Sequence, residues 1–420
     1  MELPKRSQRH TGPAGEGRPT TPGFVVAVAG VTLAILILGF RATPPVLEQF
    51  HYNDFGTFYR AAASGQLYGP DPYLPVAGSF TAKNLNPPHF HLLFRPLTLL
   101  PLPQAYVVWL ILTAGMIGLG LWRSARLVRP AWPWWMWAVM LAWTPFFSLV
   151  YTGQITALVF VPLVLAWWAD REMRPAAAGV WLGLAVSLKP HLVLLVVWWV
   201  FRRRWRSVAM AIVTGAAVAV CGAVAYGRAA YATWLSHLAG VAALPWGAMN
   251  CSLWALPSRL WHATPYYANI AERPDLVAMA TLFLVTPVAL ATLVGLRKVR
   301  SPDTSWALAL SATFIVIPLG WAYYAWWWVP MTMGLPLSRR TWAVVAVCLT
   351  IPVGFVSAFA KDSVLLTMTV ASAPVYGSAV LWVSILRLAL AESPQDVLPD
   401  PGIKNPEQVH KVWRGPALCP

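Results

Sequence analysis

The sequence predicts an all-α polytopic membrane protein, a bundle of about twelve transmembrane helices with long loops on the outer face. Three observations carry that reading. Hydrophobic residues make up 58% of the chain and charged residues 11%, where a soluble protein carries about a quarter charged. Apolar runs long enough to cross a bilayer, roughly 17 to 25 residues, recur along the chain. The basic residues fall in short clusters between those runs. A charge of +16 distributed that way marks membrane topology, not a surface for nucleic acid. Cys221, Cys251, Cys348 and Cys419 are scattered without ligand spacing, so neither a disulfide framework nor a zinc site is expected.

Taken in order, residues 1–22 are rich in Pro, Gly and basic residues and read as a disordered cytoplasmic tail. The apolar run 24–40 lacks a small-residue cleavage site and is taken as a retained helix, not a signal peptide. Clear spans follow at 24–43, 104–122, 132–150, 208–226, 275–296, 341–360 and 364–388. Three stretches are irregular. The segment 154–169 is short and runs into Asp170, Arg171, Glu172 and Arg174; 176–201 is interrupted at Lys189-Pro190; and 304–338, too long for one span, is broken at Pro318-Leu319-Gly320. Basic clusters stand at Arg123/Arg126/Arg129, Arg171/Arg174, Arg202/Arg203/Arg204/Arg206, Arg297/Lys298/Arg300 and Arg339/Arg340. If all are cytoplasmic, every intervening segment crosses an even number of times. Both 176–201 and 304–338 therefore divide into two short passes. This gives a membrane domain over 23–390 in the plasma membrane, with both termini inside and a polar cytoplasmic tail over 391–420.

The polar positions that topology does not explain then gather on the outer face: the loop 44–103, the turns "YTGQ" (151–154) and "LKPH" (188–191), the loop 227–274 and the turn "PLGWAYY" (318–324). ATP and nucleotide sugars stay in the cytoplasm. Chemistry on this face needs an activated donor carried in the membrane.

Each candidate residue also has a plain reading. Asp54, in "HYNDFGTFYR", is ionised near neutral pH and can take a proton; otherwise it caps an interfacial helix. In "NLNPPHFHLLFRPLTLLP" (84–101), Asn86, His89 and His91 offer hydrogen bonds near a phosphate, or the prolines merely guide the chain into the second helix. Lys189 lies mid-way along an apolar stretch, where an ionisable group usually faces a cavity or substrate path, unless it snorkels from a short helix end. In "NCSLWALPSRL" (250–260), Asn250, Ser252 and Arg259 supply polar contacts, and arginine can grip a phosphate in a bidentate fashion. Trp321, near the outer turn, is placed to stack on a sugar or to sit in an aromatic belt.

In order along the chain, "HYNDFGTFYRAA", "NLNPPHFHLLFRPLTLLP", "YTGQITAL", "AAGVWLGLAVSLKPHLVLL" before "FRRRWR", and "NCSLWALPSRL" resemble glycosyltransferase family 87. That family belongs to the GT-C superfamily and includes polyprenol-phosphate-mannose-dependent α-1,2-mannosyltransferases. The resemblance implies a GT-C-like bundle and an inverting transfer of a hexose, mannose in the best-known members, from a polyprenyl-phosphate donor. The acceptor would be a lipid-linked or cell-envelope glycan. Asp54 matches the family's outer-loop base. Lys189, Arg259, Arg60, His191 and Tyr324 become partners of the donor phosphate; Asn86, His89, Gln154, Asn250, Ser252 and Trp321 become substrate contacts. No cofactor or metal is implied, because no nucleotide diphosphate takes part. One departure stands out: many members carry two histidines where this chain has Tyr323 and Tyr324, and a tyrosine donates a hydrogen bond but brings no positive charge. Two other functions remain open at this point, a transporter or flippase of a lipid-linked sugar and a scaffold without catalysis.

Overall fold

A computed structural model describes residues 54–68, 84–128, 145, 149, 152–239, 247, 249–264, 267–351 and 360–392. The expected first span 24–43, nearly all of the third at 132–150 and both tails lie outside these residues. Among the described residues every regular element is a helix, with only two isolated β-bridges, Asn250 to Trp321 and Thr264 to Tyr267. The helices are α1 Asp54–Ser64, α2 Leu102–Leu127, α3 Thr156–Arg171, α4 Pro175–Leu188, α5 Val193–Phe201, α6 Trp205–Ala239, α7 Ala255–Trp261, α8 Pro274–Lys298, α9 Pro302–Val316, α10 Ala325–Thr332, α11 Arg339–Thr350, α12 Val364–Met368 and α13 Ala373–Ala391. Short 3₁₀ turns cover Pro88–Leu93, Arg95–Leu99, Pro190–Leu192 and Ala322–Tyr324.

Proline opens α4, α8 and α9 within the first turn, where its missing N–H would have no partner anyway. At α9 the Ser301 hydroxyl also accepts from Thr304 N at 3.3 Å, which completes the cap. The chain reverses between α3 and α4, and between α5 and α6, by the same device. Met173 and Arg203 adopt left-handed backbone, φ 57° and 55°. Arg174 N reaches back to Ala169 O and Arg204 N to Trp199 O. These bonds occupy carbonyls that a helix end would leave open. Gly179 and Gly183, one turn apart on α4, let it lie directly against α6: a methyl at either would meet Ser207 O at 2.3 Å or Ala211 O at 2.7 Å. Small residues at this spacing are how membrane helices approach closely.

Four described helices are long and apolar enough to span: Leu102–Leu127, Trp205–Leu238, Pro274–Lys298 and Val364–Ala391. The last is broken between Met368 and Ala373. The expected single span at 208–226 continues as helix to Ala239, but Gly227, at φ 77° and ψ 160°, interrupts it. The stretch from Trp205 to Tyr226 alone measures roughly 33 Å, about the hydrocarbon thickness. The other expected passes are shorter: 16 residues in α3, 14 in α4 and 15 in α9, or roughly 21 to 24 Å each. The count of twelve full crossings is therefore not what the described residues provide. Hydropathy registers apolar stretches and is blind to how far each one travels.

The basic clusters among the described residues do come together. Arg171 donates to Leu127 O at 2.6 Å, Arg204 pairs with Asp170 at 2.7 Å, and Trp306 Nε1 donates to the other Asp170 oxygen at 2.8 Å. Arg202 binds Leu296 O and Val299 O, and Glu392 accepts from Arg300 N and Ser301 N. These bonds gather the ends of α2, α3, α5, α8 and α13 and the starts of α6 and α9 at one basic end of the bundle. Both broken stretches leave that end and return to it. Their turning points, Lys189-Pro190 and the residues before Tyr324, lie at the opposite end.

Candidate active site

At the end away from the arginines, α1 is held by its aromatic face. Phe55 packs on Phe94, Tyr106 and Trp109 with ring centroids 5.8, 5.0 and 6.2 Å away, and Phe58 meets Phe90 and Phe94 edge-on at 4.9 and 5.4 Å. Such pairs contribute about 0.5–1.5 kcal/mol each beyond area burial. Tyr59 secures the outer side by donating to Leu100 O at 2.8 Å. Asp54, half-buried, stands in the first turn, where the helix dipole favours a carboxylate.

The turn before α3 brings Gln154 to meet it. Gly153 takes φ 64°, and a Cβ there would lie 2.5 Å from Phe55 Cβ. Trp109 Nε1 donates to Gly153 O at 2.9 Å. Glycine thus lets two segments touch, and Gln154 Nε2 donates to Asp54 Oδ2. Burial pushes the Asp54 carboxyl up to about 6, opposed by the Gln154 bond and the charge of Lys189.

Lys189 arrives from the break between α4 and α5. Pro190 has no N–H to donate and forces extended backbone on the residue before it; Lys189 has φ −136° and ψ 91°. Its Nζ donates to Asn86 Oδ1 at 3.2 Å and lies 5.8 Å from the centroid of the Tyr324 ring, near the outer limit for a cation–π contact. Tyr324 stacks on Trp327 at 4.2 Å with planes 15° apart, beside His191 at 5.3 Å. Trp327 is fixed in turn through Nε1 to Thr156 O, 2.7 Å. Asp54, Gln154, Asn86, Lys189, His191 and Tyr324 therefore converge from five separate segments.

The other expected site residues serve the framework around this cluster. Both His89 ring nitrogens are engaged, one 2.6 Å from Ser187 O and the other 2.9 Å from the Tyr231 hydroxyl, while His91 lies 2.8 Å from Asn84. The two histidines diverge because 88–93 forms a 3₁₀ turn and not a strand. Burial pushes the His91 imidazole down to about 4 and His89 downward as well; neither supplies positive charge at neutral pH. Asn250 donates to Pro318 O and accepts from Ser252 N and Gly320 N; Ser252 also donates to Pro318 O. The two residues lock the turn that carries half-buried Trp321.

Arg259 is fully buried, and its guanidinium binds Ala371 O, Ser372 Oγ, Gly247 O and Asn250 O. With its donors directed at these groups it braces the loop, and it does not face the Asp54 cluster. Arg60 lies six residues beyond Asp54 on α1, about 240° round the helix, and so does not share its face. Sequence reasoning gave Tyr68 and Trp234 no part, yet Tyr68 donates to Asn86 O at 2.7 Å and Trp234 to Leu85 O at 3.0 Å. No local signal singles out these two, since partners 18 and 149 positions apart meet only in the fold.

The cluster is recessed. Gly153 bonds to Trp109, seven residues inside α2 from Leu102, a depth of roughly 10 Å. Ser187, two residues before Lys189, lies beside Gly215 on α6, eleven residues short of Tyr226. Short helices end below longer neighbours, and the polar groups sit in the step between.

The sequence model of glycosyltransferase family 87 matches residues 84–320, more than half of the chain. That interval holds Asn86, Gln154, Lys189, His191, Asn250, Ser252 and Arg259, while Asp54, Trp321 and Tyr324 stand outside it. No curated protein and no solved structure matches the chain.

Proposed function

The chain belongs to glycosyltransferase family 87, and from that premise we propose that it moves a hexose, mannose first, from a polyprenyl-phosphate donor to a lipid-linked or cell-envelope glycan at the outer face of the plasma membrane. The observation that carries this reading is the recessed cluster in which Gln154 holds Asp54 and Asn86 holds Lys189. A free sugar nucleotide would call for an open aqueous pocket. A lipid-borne phosphate is delivered near the membrane surface, about the depth at which α3 and α4 stop. Non-helical backbone is tolerated at such depth only where protein or a polar cavity surrounds it.

In the proposed transfer an acceptor hydroxyl attacks the anomeric carbon and gives its proton to Asp54. The carbon–oxygen bond to phosphate breaks with inversion, and the polyprenyl phosphate leaves with the electron pair. Lys189 is placed to stabilise the negative charge that develops there, the kind of contribution that accounts for about 10²–10³ in rate when one donor is removed. Tyr324 and His191 line the same side. Arg259, bound to groups at 247–250 and 371–372, and Arg60, on another face of α1, are left out of this scheme, and His89, Asn250 and Ser252 support the cluster from behind.

The test is transfer from labelled polyprenyl-phosphate-mannose in membranes holding the wild-type chain or Asp54→Asn. Transfer by the wild type that vanishes in a normally folded Asp54→Asn supports both donor and base. Undiminished transfer by the variant removes Asp54 from the chemistry. If the wild type is silent with mannose and active with another polyprenyl-linked hexose, the donor sugar is corrected and the mechanism stands.

A further inference from the structure

We infer that Gln154 is a positioning residue that divides the labour of the Asp54 carboxylate, holding Oδ2 and leaving Oδ1 as the oxygen that receives the acceptor's proton. This rests on the transfer proposed above and deepens it. An ionised carboxylate only accepts hydrogen bonds, so the amide must turn its nitrogen towards Asp54. Its oxygen, Oε1, is then fixed on the far side, buried and with no hydrogen-bond partner in the protein. Gln154 is 5% exposed and cannot swing away, because Gly153 ahead of it is held by Trp109 and wedged against Phe55. Oδ1 has no hydrogen-bond donor among the described residues. The acceptor hydroxyl therefore meets one oxygen that the glutamine does not occupy, and the protein chooses which.

The second consequence is electrostatic. A hydrogen bond to the charged form favours that form, so Gln154 counters the burial that would otherwise keep Asp54 protonated. The other groups near the carboxylate are Lys189 from the α4–α5 break, whose charge acts in the same sense, and Tyr323 and Tyr324 from the turn before α10, on whose hydroxyls the charge of Asp54 bears. Gln154 is the one of these that touches Asp54 directly.

The experiment is the pH dependence of transfer by Gln154→Met and Gln154→Glu, measured beside Asp54→Asn. Methionine keeps the length and loses the donor. Its acid limb should move up by about one pH unit, the size expected for a hydrogen bond to a charged group, with the rate at the plateau reduced roughly tenfold or more. Glutamate sets a second carboxylate against the first and should move the limb further in the same direction. A purely structural glutamine would lower transfer at every pH and leave the limb in place; that outcome, in either variant that retains measurable transfer, overturns the inference. Loss of activity at all pH values in both, with melting as in the wild type, overturns it as well, since the role described is graded. Were Asp54→Asn to retain full transfer, the general-base reading would fall instead, whatever the glutamine variants did.

Discussion

Replacing Gly153 by alanine should disable transfer without touching any group that reacts. Two separate costs are built into the position. At φ 64° an L-residue pays about 1–2 kcal/mol for left-handed backbone. The new methyl would also lie 2.5 Å from Phe55 Cβ and 3.2 Å from Tyr106 Cε2, where carbon atoms rest at about 3.5–4.0 Å. Overpacking of this kind costs about 1–3 kcal/mol, which brings the whole to about 2–5 kcal/mol. Phe55 has to retreat by about 1 Å to reach that contact distance. It is the neighbour of Asp54, so the carboxylate is drawn off Gln154 as α1 shifts. A misplacement of about 1 Å costs on the order of 10² in rate.

The assay pairs thermal unfolding in detergent with kcat for transfer. Both should fall, and the loss in kcat should exceed any change in KM. Two further variants separate the terms. Gly153→Asn tolerates the left-handed backbone but keeps the clash, and should recover only part of the stability. Phe55→Leu added to Gly153→Ala should restore nothing, because the obstruction is the Cβ that leucine retains. Wild-type melting and wild-type transfer in Gly153→Ala would refute this account of the turn.

Three other expectations follow from charge. With Asp54 held up at about 6, transfer should lose half its rate near that pH on the acid side, read from an initial-rate profile. Stability should respond in the opposite sense. The folded state binds this proton more tightly than the unfolded chain, so the contribution of Asp54 to stability rises as pH falls from about 6 towards its ordinary value of 3.8 and is lost again on raising the pH; melting across that interval checks the sign. At the basic end, Arg204→Met strands Asp170, which is 2% exposed, and should cost about 3–5 kcal/mol. Adding Asp170→Asn to it should return much of that in a denaturation series, since the uncompensated charge is then gone.

What the sequence disclosed depended on whether the signal was local. The break at Lys189-Pro190 could be read because proline acts on the residue before it, and the return of 176–201 to the end it starts from because basic clusters flank it on both sides. Lys189 stood out as an ion in apolar text, and Asp54 as a carboxylate in the aromatic and polar stretch "HYNDFGTFYR". The contacts of Arg259 did not: a guanidinium among Leu and Trp reads the same whether it waits for a phosphate or binds two carbonyls of its own loop and two groups at 371–372. Asn250 and Ser252 share that ambiguity, because their partners at 318–320 are nearly 70 residues away. The shortness of α3, α4 and α9 was visible as numbers, but its meaning, a cluster set below the bundle's rim, needs the neighbouring long helices in place.

The charge of Lys189 bears on Asp54, and this poses a difficulty that the proposed mechanism has to resolve, since each ion suppresses what the other is needed for. While Lys189 holds only Asn86, its charge opposes burial at Asp54 and keeps the carboxylate less basic than burial alone would. Bringing a phosphate to Lys189 satisfies the ammonium and sets a new negative charge nearby. Both changes raise the proton affinity of Asp54. The carboxylate then becomes a stronger base when the donor is in place, and an acceptor hydroxyl that arrives without donor meets a poorer one. The acid limb of kcat, which reports the donor-bound state, should lie at higher pH than that of kcat/KM for the donor, which reports the free enzyme. With tyrosines at 323 and 324, no second cation from that turn shares the phosphate, so the separation should be large, and Lys189→Met should abolish it. Coincident limbs in the wild type would mean that the two charges do not communicate through the donor.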